Sequence, residues 1–327
     1  MATRNSPAHL LVLLLAATGQ VYAQQARQWL DDMSGALQTL NYDGTFVYLH
    51  DGKLEAMRII HRVDGEGEGE RLISLTGSAR EVLRDNETVT CIMPDSKSVM
   101  VGQSRPRQPF PVVPRDLDAI LEYYSIEALG DDRMAGNLAQ VIAITPRDAL
   151  RYGYRFWIDK DSKMLLKSDL TGVDGMPIEQ VMFTRLTIEN TISAVALTPS
   201  LTGEGYAWYR LTGGGDPAEA EEAGKPRWVV TRLPNGFNLK HYMRKRIRPD
   251  GDAAEHMVYS DGLATVSVYV EKAVAGDDTL TGLSSMGAVN AFGSVVNGHQ
   301  VIVVGEVPAE TVEMMARSIE SRQDRQE

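Results

Sequence analysis

Gly44-Thr45-Phe46-Val47-Tyr48-Leu49-His50, then Asp51-Gly52, then Glu55-Ala56-Met57-Arg58-Ile59-Ile60-His61-Arg62-Val63, then Asp64-Gly65 is the stretch that decides the fold of this chain. Two runs rich in β-branched and aromatic residues are each closed by an Asp-Gly pair. That pair suits the positive backbone angles of a tight hairpin. Outward from this pair the pattern repeats, with strands predicted at Glu70–Leu75, Glu81–Leu83, Thr88–Met93 and Ser98–Val101. Thr76-Gly77 and Asp85-Asn86 supply further turn signals between them. The series resumes at Ala139–Thr145, Tyr152–Asp159, Leu165–Leu170 and Glu179–Ile188, while residues 116–129 read as helical. Strands in succession with few helices predict a large, curved antiparallel sheet rather than a parallel one. Ahead of it, Trp29, Leu30, Met33, Leu37 and Leu40 recur at spacings of three and four, which predicts a helix over 26–40 with one apolar face.

Residues 45–49 show no clean alternation of apolar and polar side chains, so both faces of that strand are expected to be covered. Either helices on the concave side or an enclosed apolar ligand would cover them. Phe46, Val47, Tyr48 and Leu49 are therefore the candidate lining of a lipid pocket.

At the N-terminus, Arg4 precedes the apolar run Leu10–Ala17 and the small-residue exit Val21-Tyr22-Ala23, the layout of a secretory signal peptide over 1–23. The run is far shorter than the roughly 18 to 20 residues that cross a bilayer. An exported, periplasmic product starting near Gln24 is expected. The chain has 327 residues and a formal charge of -11, which becomes -12 when Arg4 leaves with the leader. So acidic a chain is a poor general partner for nucleic acid, whose phosphates are held by clustered Lys and Arg. The lone Cys91 cannot close an internal disulfide, and its strand-like setting predicts burial.

Gly213-Gly214-Gly215, followed by Asp216-Pro217 and Glu219, Glu221 and Glu222, predicts a hinge over 211–224. It divides an N-terminal domain, 24–210, from a smaller α+β domain, 225–320, with a tail at 321–327. The second domain is expected to hold strands at Glu255–Tyr259, Ala264–Glu271 and Val301–Gly305. A helix from about Ala309 should bury Val312, Met315, Ala316 and Ile319. Residues 227–248 carry Arg227, Arg232, Lys240, Arg244, Lys245, Arg246 and Arg248 and no acidic residue. On an extended strand, Lys240, Arg244, Arg246 and Arg248 share one face with Tyr242. They are the candidate docking strip for an acidic peptide or lipid phosphates, against the alternative of a charged edge that resists aggregation.

Signals for catalysis are thin. Gly282-Leu283-Ser284-Ser285-Met286-Gly287 lacks the second glycine of a nucleophile elbow. In Gly65-Glu66-Gly67-Glu68-Gly69 the glutamates would repel a phosphate. The histidines are scattered, with no paired metal-ligand spacing, and His61 reads as a strand residue. No enzyme activity, metal or cofactor is expected.

Ordered blocks along the chain resemble the RseB/MucB family of periplasmic sigma-factor regulators. They are Gly44–Tyr48, His61–Val63, Glu70–Leu72, Arg80–Val82, Thr145–Asp148 with Arg151–Gly153, Leu166–Ser168, Leu233-Pro234 with Gly236-Phe237, Tyr259–Ala264 and Gly305–Pro308. The resemblance implies an N-terminal unclosed antiparallel β-barrel similar to the lipoprotein carriers LolA and LolB, joined to a smaller C-terminal α+β domain. It further implies a regulator that binds the periplasmic segment of a membrane anti-sigma factor and shields it from proteolysis, with lipid or lipopolysaccharide fragments releasing that hold. A periplasmic lipid or lipoprotein carrier is the alternative reading, and homo-oligomer formation stays open. One departure from the family pattern is Ser162-Lys163 where Thr-Gly is usual. Lys163 tolerates a left-handed turn less well than glycine, so a different turn is expected there.

Overall fold

The apolar stripe near the N-terminus does form a helix, α1 (residues 24–39), and its Ala26, Leu30, Met33 and Leu37 are buried. The computed structural model describes residues 24–103, 110, 111, 113–211, 224–246, 253–273 and 279–322. The expected signal peptide, almost all of the expected hinge and most of the tail lie outside the described residues.

The α1 stripe packs into the hollow of a twelve-stranded sheet. Its strands are β1 (Asn41–His50), β2 (Lys53–Asp64), β3 (Gly67–Ser74), β4 (Glu81–Arg84), β5 (Thr88–Met93), β6 (Ser98–Gln103), β7 (Tyr124–Met134), β8 (Asn137–Pro146), β9 (Gly153–Asp159), β10 (Leu165–Thr171), β11 (Pro177–Glu189) and β12 (Ala207–Leu211). Their order is β12-β6-β5-β4-β3-β2-β1-β11-β10-β9-β8-β7. Every pairing is antiparallel except β12 on β6, which is parallel. The end strands β12 and β7 do not pair with each other, so the barrel is unclosed.

Asp51 and Gly52 take φ of 47° and 69° in the β1–β2 turn, the left-handed pair that an Asp-Gly hairpin demands. Phe46, Phe110 and Phe183 meet with ring centroids 5.4 to 5.7 Å apart and close the core against α1.

Residues 116–129 are not a helix. A single 3-10 turn at Asp118–Ile120 leads directly into β7. Leu117, Ile120 and Leu121 carry helical spacing. From Tyr124, however, burial alternates: Tyr124 and Ile126 are buried and Glu127 is exposed. Pairing with β8 across Tyr124↔Pro146 to Met134↔Asn137 overrides the local propensity.

The turn at Lys163 keeps its left-handed geometry, φ 64°, without glycine. A side chain there costs about 1 to 2 kcal/mol. Partners offset it: the Lys163 ammonium donates to the Lys160 carbonyl at 2.6 Å and sits 3.9 Å from the Trp29 ring centroid. Asp159 accepts from the Ser162 N–H and hydroxyl.

The second unit has its own core. A six-stranded sheet runs in the order β14 (Asn238–Arg246), β15 (Ala253–Ser260), β16 (Thr265–Lys272), β19 (His299–Gly305), β18 (Val289–Val296) and β17 (Gly282–Met286). A short pair, β13 (Trp228–Val230) with β20 (Ile319–Ser321), flanks it. Helix α2 (Ala309–Arg317) buries Val312, Met315 and Ala316 against β18 and β19. Ile319 is buried too, but as the first residue of β20 rather than on the helix. The serine-bearing segment 282–287 is the β17 hairpin arm and its turn.

Candidate functional site

The two units meet on charged and aromatic groups. Arg151 is fully buried, between the end of β8 and β9. Its guanidinium pairs with Asp148 at 3.0 Å and with Asp261 of the second unit at 2.6 Å, and donates to the Asn235 carbonyl at 2.8 Å. The rings of Tyr123, Tyr124 and Phe237 surround it at 5.2 to 5.4 Å. Asp261 is also buried and accepts from the Tyr124 hydroxyl and from the N–H groups of Leu263 and Ala264. Each partner therefore satisfies the other where water is excluded, the condition under which a buried ion pair holds. Gly236, at φ 86°, is pressed so closely on Tyr123 that a Cβ there would stand 2.3 Å from the ring.

Beside this junction lies a cavity of about 350 Å³, walled by Phe46, Met57, Leu72, Leu170 and Val181. Tyr48 and Tyr154 stand at its polar side with Glu179 from β11 and Glu306 from the second unit. The Tyr48 hydroxyl donates to Glu179 at 2.6 Å, and the Ala288 N–H of the second unit donates to the same carboxylate at 3.0 Å. Burial, then these carboxylates, push both tyrosine hydroxyls well above their ordinary range. The Glu306 carboxyl is also raised, first because the junction strips water from it and then because Glu179 is near.

Of the four residues expected to line a lipid pocket, Phe46 and Tyr48 line this cavity. Val47 and Leu49 do not. Strand β1 does alternate in space, with Tyr42, Gly44 and Phe46 buried on one face, and the period of two sends Val47 and Leu49 to the other.

The basic strip is also divided. Lys240 sits exposed at an irregularity in β14. Arg244 instead lies opposite the buried Glu255, 3.9 Å from its carboxylate, and Tyr242 packs on the second core. Arg227 approaches the same carboxylate at 3.9 Å. Arg246 ends β14, and its side chain and the whole of Arg248 lie outside the described residues. Cys91 is half-buried rather than buried, and partial burial pushes its thiol up. His61 is a buried strand residue whose ring bonds the Leu40 carbonyl. Among the described residues no group of His, Cys, Asp and Glu could hold a metal ion.

Sequence reading missed Arg151, Asp261, Glu179 and Glu306 as site residues. For three of them the one signal was membership in a block, Arg151 in Arg151–Gly153, Asp261 in Tyr259–Ala264 and Glu306 in Gly305–Pro308, which converge on the junction; Glu179 lies in none.

Comparison with known proteins agrees with this architecture. Residues 25–201 match the MucB/RseB N-terminal domain and residues 222–320 match the MucB/RseB C-terminal domain. The sigma factor AlgU regulatory protein MucB of Pseudomonas aeruginosa is 33% identical over 95% of this chain and 96% of its own length. The sigma-E factor regulatory protein RseB of Escherichia coli K12 is 27% identical over 89% of each. Among solved structures, the Pseudomonas aeruginosa MucA/MucB complex superposes with a TM-score of 0.68 at 29% identity, covering 91% of this chain and 99% of that one. MucB in complex with MucA(peri) gives 0.67 at 27% identity, covering 90% and 98%. Two domain matches in chain order and an identity that runs nearly end to end leave one conclusion: this chain belongs to the MucB/RseB family.

Proposed function

We propose that this chain is a periplasmic negative regulator of an envelope-stress sigma factor, acting by binding the periplasmic segment of a membrane anti-sigma factor and shielding it from proteolysis. The observation that carries this is the correspondence over 90% of the chain with a MucB solved together with MucA(peri). Both units fall within the two matched domains, residues 25–201 and 222–320, which supports extending that partnership to this chain. The apolar cavity supports the second half of the reading, a lipid or lipopolysaccharide acyl chain as the effector that loosens the hold. The exposed Lys240 and the basic run around it are the proposed steering surface for an acidic partner segment.

The test is cleavage of the anti-sigma factor's periplasmic domain by the protease that initiates its degradation, with and without this chain. Protection that is lost on adding lipopolysaccharide fragments is expected. A complex that never forms, or cleavage at the same rate with the chain present, would refute the regulator reading. Lipid transfer between vesicles without any protection would favour the carrier.

A further inference from the structure

Three features of the junction stand apart from the buried Arg151 pair. First, carboxylates reach across it in opposite directions: Glu179 of the first unit accepts from the Ala288 N–H of the second, and Glu306 of the second accepts from the Tyr154 hydroxyl of the first at 3.4 Å. Second, both border the cavity. Third, no described Lys, Arg or His forms an ion pair with either one. Glu179 is half-buried and Glu306 exposed, and two like charges without a counter-cation oppose the contact that their own hydrogen bonds make.

We propose that Glu179 and Glu306 form a proton-sensitive latch between the two units at the mouth of the cavity, so that parting the units and filling the cavity are one event. The second clause rests on the reading of the cavity as an acyl-chain site; the latch itself does not.

The groups that face the pair are few. Tyr48 of β1 and Tyr154 of β9 donate to it, and Tyr152, just ahead of β9, accepts from Asn290 of β18 beside it. Glu55 of β2 acts on Tyr48, Asp261 acts on Tyr154, and Arg80 lies across the cavity. With both carboxyls ionised, the pair itself joins the two units only through the Tyr154 hydroxyl and the Ala288 N–H. With one proton added, the repulsion is gone and the protonated carboxyl becomes a donor as well.

The sign follows from the direction of the Glu306 shift. Its proton is held more tightly with the units docked than with the residue freely hydrated, so docking is favoured at lower pH. It weakens as pH rises through the raised value. The cavity mouth is therefore held shut in acid and loosened as pH rises through the raised value, where a ligand wedge completes the separation.

The experiment uses the full chain with Cys91→Ser and spin labels at the exposed positions Leu138→Cys and Val295→Cys, one on each unit. Inter-label distances are read by pulsed electron resonance at the two ends and along the course of a pH series rising from 4.5, the ordinary carboxyl value. A single narrow distribution is expected in acid, with a longer component growing at least about threefold at the higher pH. Glu306→Gln should stay narrow at both. Tyr154→Phe, which removes a bond that favours the ionised form, should keep the response but move it to higher pH. Distances unchanged with pH in the parent, or a Glu306→Gln chain that follows the parent, overturn the latch. Binding of a neutral fluorescent monoacylglycerol is measured alongside, tighter at the higher pH in the parent and pH-independent in Glu306→Gln. If the probe binds at neither pH while the distances respond, the cavity reading and the coupling fall and the latch stands. If it binds equally at both while the distances stay fixed, the latch falls and the cavity reading stands.

Discussion

Replacing Arg151 with Met tests whether the two units are held by one buried ion pair. Removing one member of such a pair costs about 3 to 5 kcal/mol, because the survivor keeps its charge without compensation. Asp261 would retain the Tyr124 hydroxyl and the N–H groups of Leu263 and Ala264, all within 2.9 Å. Those three donors place the expected cost at the lower end, about 3 kcal/mol. Each unit has its own core, so the chain can escape the penalty by parting the units and hydrating Asp261. A shift of that size changes the docking equilibrium by more than about a hundredfold. Urea unfolding of Arg151→Met should then split into two transitions, and the amide of Ala288, bonded across the junction, should exchange faster. The double variant Arg151→Met with Asp261→Asn leaves no orphan charge and should recover most of the loss. If Arg151→Met unfolds in one transition within about 1 kcal/mol of the parent, or the double variant loses the sum of the single losses, the guanidinium does not hold the junction.

Gly236→Ala should loosen the same seam by about 1 to 2 kcal/mol or more, since an added Cβ meets both a left-handed backbone and the Tyr123 ring; an unchanged melting temperature would refute this. Charge reversal at Lys240, Arg246 and Arg248 should weaken capture of the anti-sigma segment more than about tenfold at low salt, with the gap narrowing as salt rises, as titration calorimetry at two ionic strengths would register. Arg244 is left out of that set, because a glutamate there would face the buried Glu255 and unsettle the sheet. Burial raises the Glu70 carboxyl above 4.5, with Arg84 pulling the other way, so the native state binds its proton more tightly than the unfolded chain. Stability should therefore fall as pH rises from 4.5 through the raised value, and Glu70→Gln should flatten that slope in a series of urea titrations. Limited proteolysis should cut within 211–224 and release two folded pieces; cuts confined to other loops would count against a hinge.

What the sequence determined by itself was everything carried by neighbours along the chain. Strand succession, the Asp51-Gly52 hairpin, the α1 stripe and the α2 face are written in periods of two and 3.6 and in turn residues, so they were legible within ten-residue windows. Local reading failed where distant partners overrule local preference. Residues 116–129 carry helical spacing yet join β8 as β7, and Phe46 to Leu49 look alike in sequence but are parted by the pleat into cavity wall and opposite face. Arg244 looked like free charge until the fold placed Glu255 beside it. The junction was the least legible part, for Arg151 and Asp261 are 110 residues apart and Glu179 and Glu306 still further. Nothing periodic links such residues. Only tertiary packing decides that two cores meet there, because burying a charge is tolerable only where the fold delivers its partner.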